Sequence, residues 1–129
     1  MKLNPDCIRD ILFEIEDITT FDTCFDYLYN SPPENSLLSK YKPDEVVYHI
    51  RQCDLYGLLY RTDFDMEGNV SVQDLSPSGH DFIANIRSDS IWNDVKTVST
   101  KVGSKSVNAL TQIAAGVVTA LIKSQLGII

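Results

Sequence analysis

The stretch PDEVVYHIRQCDLYGLLYRTDFDMEGNVSVQDLSPSGHDFIANI, residues 43–86, decides the fold. Val46, Val47, Ile50, Cys53 and Leu55 recur at helical spacing, and Gly57 stops the run as a residue that takes a left-handed cap at little steric cost. Two β-type runs follow, Leu58–Arg61 and Val70–Leu75, on either side of the polar turn Asp65-Met66-Glu67-Gly68-Asn69. Ser76-Pro77 then opens another helix through His80, Phe82, Ile83 and Ile86. Helix, strand, turn, strand, helix is the back half of a winged helix-turn-helix domain. The expected class is therefore mainly α with a small β-hairpin wing (α+β), followed by two C-terminal helices.

Working outward toward the N-terminus, Asn4-Pro5 is a helix start, with an Asn cap, Pro in the first turn and Asp6 near the positive helix end. Ile8, Ile11, Leu12, Ile15 and Ile18 form an apolar stripe, and Arg9, Asp10, Glu14, Glu16 and Asp17 are assigned to the solvent side. Cys7, at the edge of the stripe, reads as a small packing residue. Residues 19–42 are less regular. Thr19-Thr20-Phe21 suits a short extended piece, and residues 30–35 are a loop by composition. Leu37–Tyr41 fits either one helical turn or a strand leading into the next helix. Phe21, Phe25, Tyr27 and Tyr29 could form a stacking platform for single-stranded nucleic acid. Asp22 and Asp26 lie among them without a basic residue, which favours core or interface packing.

Toward the C-terminus, Arg87-Ser88-Asp89-Ser90 breaks the chain before a helix carrying Ile91, Trp92, Val95, Val98 and Val102. Trp92, the only tryptophan, is expected to anchor this extension on the first domain rather than to form an exposed hot spot. Gly103 breaks the chain again, and Ser104 is the expected cap of a last helix of about 22 residues. Val107, Leu110, Ile113, Ala114, Val117, Val118 and Leu121 line one face of it, with Ile122 beyond, and Gly116 and Ala120 would admit a second backbone closely. Asn108, Thr111, Gln112 and Thr119 interrupt what a membrane span would need, so no membrane contact is expected. These seven residues are expected to carry a homo-oligomer interface, a dimer or tetramer; the alternative is a helix folded back on its own subunit. The apolar tail Leu126–Ile129 prefers to be covered. The domain division expected is 1–87 and 88–129.

Charge is unevenly distributed. The chain of 129 residues has a net charge of −7, but residues 1–87 hold seven Lys/Arg against sixteen Asp/Glu, and residues 88–129 hold four against two. An acidic domain repels the phosphate backbone over most of its surface. In a winged helix the segment 43–56 would be the recognition helix. Tyr48, His49, Arg51 and Gln52 are its exposed candidates, with Arg61 on the wing. Asp44, Glu45 and Asp54 oppose Arg51, and Asp63, Asp65 and Glu67 oppose Arg61. That face suits a basic partner better than DNA.

Catalytic and metal motifs are absent. His49 and His80 have no cysteine or carboxylate at a usual metal spacing, and neither a phosphate-binding loop nor a nucleophile elbow occurs. Residues 63–68 resemble a calcium loop only superficially, since the bidentate Glu at the twelfth position is missing. No enzyme and no cofactor are expected. Cys7, Cys24 and Cys53 form no CxxC pair, and no secretory n- and h-regions precede the first helix, so reduced thiols and a cytoplasmic setting are expected.

The segments LNPDCIRDILFEIED, EVVYHIRQCDLYGLL and DLSPSGHDFIANIRSDSIWNDVK, followed by a long closing helix, resemble the bacterial and phage family known as domain of unknown function 2513. Its most specific marks are Tyr48-His49-Ile50 with Gly57-Leu58, and Gly79-His80-x-Phe82 followed by Ile86-Arg87 and Trp92. The resemblance implies a winged-helix-like N-terminal domain and frequent phage or prophage origin, and it carries over no functional residue. His49 and His80 then read most simply as core residues. The expectation is a non-enzymatic interaction module, in a phage setting one that binds and inhibits a host defence protein. The alternative is a DNA-binding regulator, which rests on fold analogy.

Overall fold

A computed structural model describes residues 1–127; Ile128 and Ile129 of the apolar tail lie outside the described residues. Five helices and three strands follow one another as α1 (Pro5–Ile18), β1 (Phe25–Tyr27), α2 (Pro43–Leu55), β2 (Leu59–Phe64), β3 (Val70–Leu75), α3 (Pro77–Asn85), α4 (Asp89–Val102) and α5 (Val107–Gln125). The architecture is the mainly α, small-wing class the sequence predicts.

Local chemistry sets most boundaries. Asn4 Oδ1 accepts from the Asp6 N–H at 3.1 Å, and Ser76 Oγ from the Gly79 N–H at 3.1 Å, each satisfying an orphan donor of a first turn. Ser88 caps α4, and Gly103 ends it with φ +81 in the left-handed region. The cap of α5 is Ser106, not Ser104, and the helix has 19 residues instead of about 22. The chain leaves Gly103 in a reversal, and residues 104–106 are used to bring α5 back alongside α4.

The three strands are antiparallel in the order β1-β3-β2. β2 runs from Leu59 to Phe64 rather than over Leu58–Arg61, because the Leu58 N–H is held by the Cys53 carbonyl as α2 unwinds. Residues 36–41 are a turn, with Ser39 and Tyr41 N–H groups donating to the Ser36 and Leu38 carbonyls. Of the two readings of Leu37–Tyr41, the structure has a turn and no strand. Phe25 and Tyr27 of β1 are buried, whereas Phe21 is fully exposed. The aromatic cluster of residues 21–29 therefore divides between core and solvent.

One continuous core joins the two parts of the chain, from Cys7 and Ile11 through Ile50, Val72 and Ile83 to Val95, Leu110 and Ala114. Trp92 is buried, and its indole N–H donates to Asp6 Oδ1 at 2.8 Å. Arg9 does not face water. Its guanidinium donates to the Ile86 and Arg87 carbonyls and stacks over Phe13 and Trp92, tying α1 to the α3–α4 joint. On α2 the buried stripe is Val46, His49, Ile50 and Cys53, while Leu55 is turned to solvent.

Candidate partner-binding face

α2 and the β2–β3 hairpin form one surface. His49, expected on it, is instead fully buried. The Asn4 N–H donates to His49 Nε2 at 2.8 Å, so Nε2 must be the acceptor and Nδ1 carries the proton it shares with the Glu45 carbonyl at 2.7 Å. His49 is a structural link between α1 and α2. Tyr48 is half-buried with its ring at 5.5 Å from the imidazole in an edge arrangement, and Gln52 is half-buried beside Leu3 and Tyr56.

Arg51 and Arg61 remain exposed. Each guanidinium lies over an aromatic ring, Arg51 over Phe64 and Arg61 over Tyr60, both at 5.1 Å. Such stacking holds the cations against their own chain. Arg61 also has φ +54, a left-handed conformation that a residue with a Cβ adopts only under constraint from its surroundings. The two basic candidates are therefore on one surface but do not converge into a cradle for phosphate.

The carboxylates dominate the outer face of the sheet, turned away from the core and α2. Asp26, Ser71 and Asp63 stand in cross-strand register, so two acids flank the central strand in a single row. Beside them a cleft of about 300 Å³ is lined by Asp26, Leu28, Asp63, Phe64 and Asp65. Asp26 was not anticipated at this face, because the three-residue strand that places it is recognisable only through its pairing with β3. Tyr29 donates its hydroxyl to Asp44.

The wing tip is held by its own side chains. Asp65 Oδ1 accepts from the N–H groups of Glu67 at 2.8 Å and Asn69 at 2.9 Å, and the Asn69 amide donates to Oδ2. Those donors hold the Asp65 carboxyl below the usual carboxylate range, the Asn69 N–H contributing most. Asn69 Oδ1 in turn accepts from the Tyr29 N–H at 2.9 Å, fastening the wing to the segment after β1. The acidic turn is explained by this arrangement. Among the described residues no group of three His, Cys, Asp or Glu could hold a metal ion.

The other candidates are on α5. Val107, Leu110 and Ala114 are buried in the chain's own core, and Ile113 and Val117 pack partly against it. The short link through Gly103 folds α5 onto α4 and α3, so these residues cover their own chain first. Val118 is half-buried and Leu121 is exposed. By length and mean hydropathy of 1.3, α5 also meets the requirement for a membrane-crossing helix, with 17% of that window buried.

A family model described as "Hypothetical protein (DUF2513)" matches residues 2–106, ending where α5 begins. A protein of Haemophilus influenzae described as "Uncharacterized protein" is 27% identical over 129 residues, covering 95% of this chain and 99% of the relative. No solved structure matches the chain.

Proposed function

The chain belongs to the DUF2513 family, whose description assigns no activity, and from that premise we propose that it is a non-enzymatic protein-interaction module. Its acidic winged-helix-like face takes a basic partner, and its C-terminal helix assembles copies of it. One observation carries the reading: the wing presents Asp63, Asp65 and Glu67, with Asp26 in line with Asp63 on the outer face of the sheet and Asp54 on α2, while Arg51 and Arg61 are stacked on Phe64 and Tyr60. A phosphate backbone is repelled there, and a Lys- or Arg-rich surface is attracted. In a phage or prophage setting, a host protein with a basic nucleic-acid groove is such a partner.

The test is anisotropy titration of the full chain with two labelled probes at low salt, a 20-base-pair duplex and an arginine-rich peptide. The peptide binds, and its affinity falls with salt. Neutralising Asp54, Asp63 and Glu67 together weakens it at least ~10-fold, the order expected when about 1.4 kcal/mol of attraction is removed. Neutralising Asp17, Asp22 and Asp94, away from this face, does not. Duplex binding that is lost in Arg51→Ala would overturn the proposal in favour of a DNA-binding regulator.

A further inference from the structure

We infer that two copies of this chain pair antiparallel through α5, the Ile122 side chain of each entering the cleft between α3 and α5 of the other. The inference rests on the assembly half of the function proposed above and specifies its geometry.

α5 has 19 residues and α4 has 14, so α5 outruns its hairpin mate by five residues, about 7.5 Å at ~1.5 Å per residue. From Thr119 to Gly127 every residue is exposed. Thr111, Ala115, Val118, Ile122 and Leu126, spaced four, three, four and four, keep to one side of the helix. The two ends of that line differ. At Thr111 and Ala115 it borders a cleft of about 250 Å³ whose other walls are Tyr56, Leu58 and Phe82, with Ser78, Asp81 and Asn85 of α3 along it. At its far end Ile122 and Leu126 are 52% and 67% exposed.

A hollow and a projecting apolar side chain on one line of one helix are what a two-fold contact requires, since residue i then meets j while j meets i. With the axis between Val118 and Thr119, Ile122 falls opposite Ala115 of the second copy, and Leu126 opposite Thr111. Along α5 no Asp, Glu, Lys or Arg occurs between Lys105 and Lys123, so the one charged side chain lining the cleft is Asp81 of α3. A Cβ added at Gly116 meets nothing within 4 Å, so the backbone there is open to a close neighbour.

A lipid surface would cover the same apolar residues, but it would leave the cleft unused. The acidic body of residues 1–87 would also be repelled by anionic headgroups. A second copy accounts for both ends of the line. The helix pair is short, about 24 Å, which places the contact among small interfaces and the dissociation constant at roughly micromolar.

The test is oxidative cross-linking of the full chain in a Cys24→Ser background, which removes the exposed thiol. A115C alone and I122C alone stay unlinked, their 1:1 mixture gives a disulfide-linked dimer, and V118C links to itself. Ile122→Asp raises the dimer dissociation constant at least ~10-fold by sedimentation velocity. Circular dichroism stays unchanged, because Ile122 is half-exposed. Dimer mass with each cysteine linking only to its own position means a parallel pair; it overturns this geometry and leaves assembly standing. Monomer mass up to ~100 μM without any cross-link overturns both. Co-flotation of a monomer with phosphatidylcholine vesicles overturns the pairing in favour of lipid.

Discussion

The backbone N–H of Asn4 donates to Nε2 of His49 across 2.8 Å, although 45 residues separate them in sequence. The same imidazole holds the Glu45 carbonyl at 2.7 Å. One buried ring therefore fixes the first turn of α1 against the middle of α2. This explains a histidine in the Tyr48-His49-Ile50 mark without any chemistry. His49→Ala removes the acceptor, leaves the Asn4 N–H without it and opens a void. The expected loss is about 3 kcal/mol, combining an unsatisfied donor with the cavity. Urea unfolding followed by tryptophan fluorescence measures it, and a change under ~0.5 kcal/mol would contradict the assigned role.

Gly79 explains the second mark. A Cβ built at this position would stand 2.1 Å from the Leu58 carbonyl oxygen, a backbone atom that cannot rotate away. That carbonyl also accepts from the Ser76 N–H at 2.9 Å, so the start of α3 lies directly on the α2–β2 junction. Gly79→Ala is expected to cost about 3 kcal/mol or more. Ser78→Ala, one residue earlier and exposed, stays within ~0.5 kcal/mol. Thermal melts of the two variants make the comparison.

Acid should loosen the anchoring of α4. Burial pushes the Asp6 carboxyl up, but hydrogen bonds from Trp92 and Lys96 outweigh it and hold the group below its usual 3.8. The hydrogen bond from Arg87 likewise lowers Glu16. A carboxyl whose folded value lies below its unfolded one stabilises the fold above the unfolded value, and that contribution is lost as pH falls through the folded one. Stability is therefore expected to fall below about pH 4. Asp6 is half-exposed, so Asp6→Asn costs under ~1 kcal/mol at pH 7. The diagnostic is a flatter dependence of the urea midpoint on pH between ~3 and ~5 in that variant.

Helix starts were legible wherever an Asn or Ser cap preceded a proline, because those signals act within four residues. Asn4-Pro5 and Ser76-Pro77 are both realised. The hairpin was legible through its turn residues. β1 was not, since three residues acquire strand character only by pairing with Val70–Val72, more than forty positions on. The helix pattern put His49 on the solvent side as a polar residue, whereas the reading of it as a core residue agrees with its place one residue before Ile50 and three after Val46 in the buried stripe. On α5 the apolar face was legible, but not its occupant. Val107, Leu110 and Ala114 satisfy the same periodicity whether they meet α4 or another chain, and only the reversal at Gly103 decides it.

The proposed function requires that this face reject DNA while the chain assembles through α5. Sedimentation velocity of the full chain at ~50 μM and low salt, with a fluorescent 20-base-pair duplex present, tests both halves at once. A protein boundary at dimer mass, with the duplex sedimenting alone, is the predicted result. Duplex carried in the protein boundary, or a protein boundary at monomer mass, would contradict it.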